Sequence, residues 1–440
     1  MKKTLIVVLS LITILSLISG CTISGGTGTG NLPSGSSSGQ EVPGDSQTES
    51  KEEERQPVTI EFLCWGAAEA ATADAFKAMV DGFIAKYQWI TVDVTESNYD
   101  AVSTTLLTRA AAKSAPDTAQ VSNQWVAALK EMDALIPVDE ILSAETMNDY
   151  YAGAKSGTTI NGKVYSAPWI IQPICMFYNK DLLKAAGFSE PPKSWTEYID
   201  MCYAIAKLGT NAEGNTVYGR SLASTVLPGA GYFTLIDVWA NGGDFSDADG
   251  NITFYSEGTV AAYKELQEMV KQGVIAPGLQ IVDNRSLFGN GQIGFHFDAP
   301  SQTATFSKVN FGVVQAPGGQ SFSSDHHLVA FADTDNAEEC GLFIDYLTGP
   351  EGMKLYTDNS DVICARHSVE NLEYYKNLDS NMEVFFRAAS TIRSLPVQSS
   401  KFLQAMEEIA EGLQRVVINM EDPDTVISDV NAKLKTMYGQ

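Results

Sequence analysis

The chain has 440 residues, 44% of them hydrophobic, with 29 basic and 54 acidic side chains and a formal net charge of −25. An acidic excess of that size repels phosphate backbones and anionic headgroups, so nucleic acid is excluded as a partner, as is electrostatic docking on a membrane. Six cysteines in a chain this long do not make a disulfide-stapled scaffold.

Lys2 and Lys3 precede an apolar run, Leu5 to Ile18, broken only by Ser10, Thr13 and Ser16. The run is too short to favour a permanent membrane span and reads as an export signal. It ends in Leu17-Ile18-Ser19-Gly20-Cys21, which resembles a bacterial lipobox, where the cysteine thiol receives a diacylglyceryl group. Residues 1–20 are therefore expected to be removed, with Cys21 lipidated and the membrane reached through that anchor only. Residues 21–57 are Gly/Ser-rich and then charged, for example Gly25-Gly26-Thr27-Gly28 and Lys51-Glu52-Glu53-Glu54-Arg55. A coil of that composition spans roughly 30–35 Å, enough to hold a domain clear of a surface.

Residues 58–440 are too many for one comfortable core and imply two lobes. Val58 to Cys64 alternates like a strand, and Phe76, Met79, Val80, Phe83 and Tyr87 follow at helical spacing. A second strand, Ile90 to Val94, leads to a helix over Val102–Ala112 and a third strand, Thr118 to Val121. Strand–helix–strand–helix–strand predicts a mainly parallel α/β sheet. Asn161-Gly162 between β-branched flanks predicts a hairpin turn. A short helix from Leu182 is stopped by Gly187, and Ser194 with Glu197 forms a capping-box pattern. Asn336 with Glu339 is expected to cap another helix, which Gly349, as a left-handed residue, ends before Pro350. Of the cysteines beyond Cys21, Cys64, Cys175, Cys202, Cys340 and Cys364, most are expected to be small buried apolar residues, with one disulfide left possible.

Six segments in register resemble the first family of bacterial extracellular solute-binding proteins, which includes the maltose-binding protein. They are Asn161 to Pro168 with Phe177 to Leu182, Pro191 to Glu197, Trp239 to Asp244, Gly291 to Pro300, Leu347 to Gly352, and Ala365 to Ser368. The resemblance implies a two-lobed α/β periplasmic-binding-protein fold, type II-like, with the ligand in a cleft between lobes joined by crossover strands. Carried onto this chain, it places residues 58–168 and 298–325 in an N-terminal lobe and 169–297 and 326–440 in a C-terminal lobe. It also implies capture without catalysis, by a monomer that needs no cofactor or metal and delivers a carbohydrate to the transmembrane subunits of an ABC importer. A non-sugar solute (peptide-like, polyamine or metal complex) on the same fold is the alternative reading, followed by a surface glycoside hydrolase.

Sugars present hydroxyls around an apolar face, so their sites need aromatic planes and planar polar groups. Trp65 just past the first strand, and Asn123 and Trp125 just past the third, stand where loops line α/β clefts. Gln172 lies on a crossover, where the resemblance implies a ligand contact. Tyr232 falls in the register of a stacking tyrosine, with Trp239 a helical interval beyond it. Asp298, His326 and Arg366 complete the candidates, each with a structural alternative: a turn cap, a buried histidine, a salt bridge. Gly157 to Lys163 matches a phosphate-loop pattern, but Val164 replaces the hydroxyl that would hold magnesium. Gly35 to Gly39 matches a nucleophile elbow, but inside the tether.

Overall fold

The computed structural model describes residues 55–440 apart from 70–71, 98, 248–249, 320, 390–392, 394, 396 and 398. The export signal, Cys21 and nearly all of the tether lie outside the described residues. In chain order the strands are β1 Val58–Cys64, β2 Ile90–Glu96, β3 Thr118–Ser122, β4 Leu135–Ile136, β5 Thr159–Ile160 and β6 Lys163–Val164. They continue with β7 Ala167–Ile171, β8 Cys175–Asn179, β9 Tyr218–Arg220, β10 Ile293–Asp298, β11 Phe311–Val314, β12 His326–Phe331 and β13 Ile363–Cys364.

The first sheet runs β13-β7-β12-β3-β1-β2, with β4 paired to β12. β1 is parallel to β2 and β3, as the alternating pattern predicts. Every residue of β3 and β7 is buried, so helices cover both faces and these strands read as apolar runs. The helix Ala73–Lys86 lays its Phe76, Met79, Val80 and Phe83 stripe on this sheet, where Phe83 and Phe62 both meet Phe343 edge-on at 4.9 and 5.1 Å. The second sheet runs β11-β8-β10-β9. Its core, including Tyr198, Leu235, Phe295, Leu413 and Val416, is packed by the helices Trp195–Ala206, Pro228–Ala240 and Phe402–Val417. Within it Arg220 and Asp237, both buried, form an ion pair with one contact of 3.0 Å, and the guanidinium also lies 5.5 Å over the Tyr198 ring.

Two segments sit in the opposite lobe from the one the resemblance assigned. β12 pairs antiparallel with β3 through five residues, His326↔Ser122 to Ala330↔Thr118, and so belongs to the first sheet. The helices Ala337–Thr348 and Pro350–Thr357 follow it there. β11 pairs antiparallel with β8 in the second sheet. The physical reason is burial on both faces: β12 has five of its six residues buried and fills the gap between β3 and β7. The crossings between lobes are consequently the links β7–β8 and β11–β12, and the passage after Lys376 to the C-terminal helices.

Local chemistry follows the sequence in most turns. Asn161 and Gly162 both take positive φ, 52° and 80°, closing the β5–β6 hairpin. Gly187 at φ 93° stops its helix, and Ser194 Oγ accepts the Glu197 N–H at 3.2 Å. Two caps differ. Asn336 makes no side-chain cap; its amide donates instead to Asp117 at 3.5 Å. Gly349 is extended, at φ −85° and ψ 174°, because Pro350 opens a new helix at once and the chain needs a corner rather than a left-handed stop. All five cysteines beyond Cys21 are unpaired and buried.

Candidate ligand-binding cleft

The loops after β1 and β3 meet at one buried amide. Gln120, on β3, accepts the backbone N–H groups of Trp65 and Gly66 at 3.2 and 3.0 Å through Oε1. Its Nε2 lies 3.3 Å from His326 Nδ1. Gly66 is obligatory at this turn, since a Cβ there would come within 2.1 Å of the Phe76 ring. With the turn so fixed, the Trp65 ring meets Trp125 edge-on at 5.6 Å and His326 at 4.9 Å. Trp65 and Trp125 are only 2% and 6% exposed, so they form the wall of the cleft rather than a free stacking face. Leu403, from the helix Phe402–Val417 of the other lobe, packs on the same cluster.

Behind this wall, Asp325 joins the two crossovers. Its Oδ1 accepts the Gln172 N–H at 3.0 Å and the Ser323 hydroxyl. The Ser324 N–H donates to Gln172 O at 3.2 Å, and the Asn123 N–H donates to Asp325 O at 3.0 Å. Burial pushes the Asp325 carboxyl up to about 6, against the pull of these two donors. Burial also pushes His326 down to about 4, so its ring is neutral near pH 7. His327 faces the other way and is fully buried, bonded to Ser166 Oγ at 2.8 Å, as strand alternation requires.

Two buried amide atoms at this junction have no hydrogen-bond partner among the described residues, Gln124 Nε2 and Gln172 Oε1. One is a donor and the other an acceptor. A buried polar atom without a partner costs ~1–3 kcal/mol, so such atoms are ordinarily met by water or by a ligand.

The second lobe contributes Tyr232, half-buried and stacked on Phe402 at 6.1 Å, with Phe322 of the crossover edge-on at 6.1 Å. Trp239 donates Nε1–H to Asp244 at 3.0 Å and carries the Arg393 guanidinium 4.8 Å over its face, which assigns it to packing. Asp298 is held by Arg285 at 2.7 and 2.9 Å and by His296 at 2.8 Å. Burial alone would raise that carboxyl, but the guanidinium and the imidazole outweigh it and hold it well below the usual range. Arg366 takes the salt-bridge alternative: it bonds Asp149 at 2.7 Å and Asp345 at 2.8 Å, within the first lobe. The lobes come close at a further point, where burial raises the Glu69 carboxyl and the charge of Arg285 lowers it.

Of the nine ligand candidates read from sequence, Trp65, Asn123, Trp125, Gln172 and His326 converge, and Tyr232 approaches through Phe322. Gln120, Gln124 and Asp325 were missed. Asp325 carried one signal, its place at the expected crossover between lobes; Gln124 carried only its adjacency to Asn123, and Gln120 carried none.

Residues 71–382 match the model of the bacterial extracellular solute-binding proteins. A binding protein of Brucella abortus is 23% identical over 380 residues, covering 83% of this chain and 90% of its own. A maltooligosaccharide ABC transporter solute-binding lipoprotein of Streptococcus pneumoniae is 24% identical over 309 residues, covering 64% of this chain and 68% of its own. Among solved structures, the GacH receptor of Streptomyces glaucescens, studied unliganded and with acarbose, superposes with a TM-score of 0.76 at 21% identity, over 87% of this chain and 99% of that one. Two sheets linked by crossings, polar loops gathered where they meet, and a family match over most of the folded residues lead to one assignment: the chain belongs to the bacterial extracellular solute-binding protein family.

Proposed function

We propose that this protein captures a carbohydrate in the cleft between its lobes and delivers it to the permease of an ABC importer, anchored outside the cell through lipidated Cys21. The observation that carries the reading is the pair of unpartnered amide atoms beside the Trp65–Trp125–His326 wall. A sugar hydroxyl is at once a donor and an acceptor, and Gln124 Nε2 with Gln172 Oε1 offers the complement of both. The relatives support the class: one carries maltooligosaccharide in its name, another was solved with acarbose. Neither fixes the sugar here. Tyr232, half-buried on its helix and packed against Phe322 of the crossover, supplies the aromatic contact.

The test is a thermal-shift screen over mono- and oligosaccharides, confirmed by calorimetric titration. A true ligand at 100 times its Kd adds about 2.7 kcal/mol of apparent stability. A screen in which peptides or polyamines stabilise the protein and no saccharide does would overturn the reading. Release of product from the bound glycan would overturn capture without catalysis.

A further inference from the structure

A chain of four side chains crosses the second lobe at the carboxyl ends of β9 and β10, which run parallel. Arg285 grips Asp298 with two hydrogen bonds, 2.7 and 2.9 Å, and the Ala299 N–H donates to the same carboxylate at 2.8 Å. Asp298 Oδ2 lies 2.8 Å from His296 Nε2, and His296 Nδ1 lies 2.8 Å from Ser221 Oγ. Ser221 ends the chain at a cavity of about 20 Å³, lined also by Phe233 of the helix Pro228–Ala240 and by Ile281 and Asn284 of the helix Ile281–Gly289.

The far end of the chain places one proton. A carboxylate ion-paired to a guanidinium has no proton to give, so His296 Nε2 carries a hydrogen. With Nδ1 as a lone pair the ring accepts from the Ser221 hydroxyl, and with Nδ1 protonated it donates to Ser221 Oγ. In either form Ser221 Oγ keeps a lone pair to present to the cavity. Of the rest of the lining, Leu222, Ala223, Phe233 and Phe297 are apolar, the Arg220 guanidinium is spent on Asp237, and the buried Asn284 amide donates to Gln280 O at 3.0 Å. Size narrows the guest further. A water-sized group needs roughly 10–15 Å³ by this measure, so the cavity takes one hydroxyl and not a sugar ring. Open strand ends of this kind are where α/β folds hold ligands, and Tyr232 precedes Phe233 on the same helix.

We propose that Ser221, polarised through His296, Asp298 and Arg285, is a one-hydroxyl subsite that accepts a single O–H of the cleft ligand and so reads one position of a polyhydroxylated solute. The inference rests on the carbohydrate reading above. It makes Ser221 a specificity determinant and assigns Asp298 a positioning role instead of the direct ligand contact read from sequence.

The experiment starts from whichever of maltose, tagatose, diacetylchitobiose or a galactooligosaccharide binds tightest, these being ligand types named for relatives. Titration calorimetry then measures the wild type against that sugar and its complete monodeoxy series. One deoxy derivative is expected to bind wild type about tenfold more weakly, as for a lost hydrogen bond. Ser221→Ala should lose the same ~10-fold against the parent sugar and nothing further against that derivative. Ser221→Cys keeps the side chain's shape but accepts poorly, and should behave as the alanine does; it stands in if Ser221→Ala fails to fold. Losses that multiply instead of merging, or variants as tight as wild type, overturn the subsite and leave Ser221 facing a resident water only. If none of the four sugars binds, the tightest saccharide of the screen above replaces them, and if no saccharide binds, the carbohydrate reading falls and the subsite with it.

Discussion

Replacing Asp325 by Asn tests the junction of the crossovers directly. The carboxyl is buried, accepts two hydrogen bonds, and sits at about 6 rather than its ordinary 3.8. Asparagine keeps the Oδ1 acceptor for the Gln172 N–H and the Ser323 hydroxyl while removing the charge. A carboxyl raised in the folded state holds its proton more tightly there than in the unfolded chain. Its contribution to stability is therefore complete below pH 4 and is lost as pH rises through about 6. Two pH units at 1.36 kcal/mol each make the loss about 3 kcal/mol. Urea melts of both proteins from pH 4 to pH 8 measure it. The variant should match wild type near pH 4 and be more stable by about 3 kcal/mol near pH 8, with the difference opening between those values. Parallel stability curves across the whole range would refute the reasoning, because Asp325 would then titrate as an exposed carboxylate.

Trp125→Ala should cost ~3–5 kcal/mol of stability in urea melts, since a nearly enclosed indole is removed, whereas Tyr232→Ala should chiefly weaken sugar binding, by ~1–3 kcal/mol in calorimetry; a reversed ranking would exchange their roles. Arg220→Met should destabilise by ~3–5 kcal/mol by stranding Asp237, and adding Asp237→Leu should restore most of the loss; an unaffected single variant would show that Asp237 is not left as an uncompensated buried charge. Cys21→Ser should move the protein from the membrane to the soluble or uncleaved fraction without changing its ligand affinity, and mass spectrometry of a mature N-terminus lacking lipid in the wild type would end the anchoring claim. Ligand should reduce the radius of gyration in solution scattering as the lobes close as rigid bodies, and an identical profile at saturation would rule out the hinge.

Much of the fold was legible because its signals are local. The alternation of Val58–Cys64 and the stripe through Phe76 and Phe83 each state which face is buried, and Asn161-Gly162 specifies a turn by its own φ preferences. Sheet membership is not local. β11 and β12 are short apolar runs, and nothing within Phe311–Val314 or His326–Phe331 names the strand beside it, so both went to the wrong lobe. Caps failed for a related reason: Asn336 could have bonded its own helix, but Asp117, more than 200 residues earlier, offered a competing acceptor. The cleft was half legible. Trp65, Trp125 and Gln172 were found as residue types suited to sugars at strand ends, while Gln120 looks in sequence like any polar residue in a strand. Its role exists only once β1, β3 and β12 lie side by side. Arg366 and Asp298 show the converse error, since a buried charge attracts notice whether its partner is a ligand or another side chain.

The five thiols carry a consequence for life outside the cell. Each is buried, and burial, the largest cause, with neighbouring carboxylates added, pushes Cys64 and Cys340 up to about 12 and Cys364 up to about 11. Oxidation and disulfide exchange proceed through the thiolate, which at such values is a vanishing fraction of the sulfur at neutral pH. Once folded, the five thiols are thus poor targets for oxidants in their surroundings. The dangerous interval is the one before collapse, when the same five sulfurs are exposed and ordinary in their acidity. The faster the two cores close, the shorter that exposure.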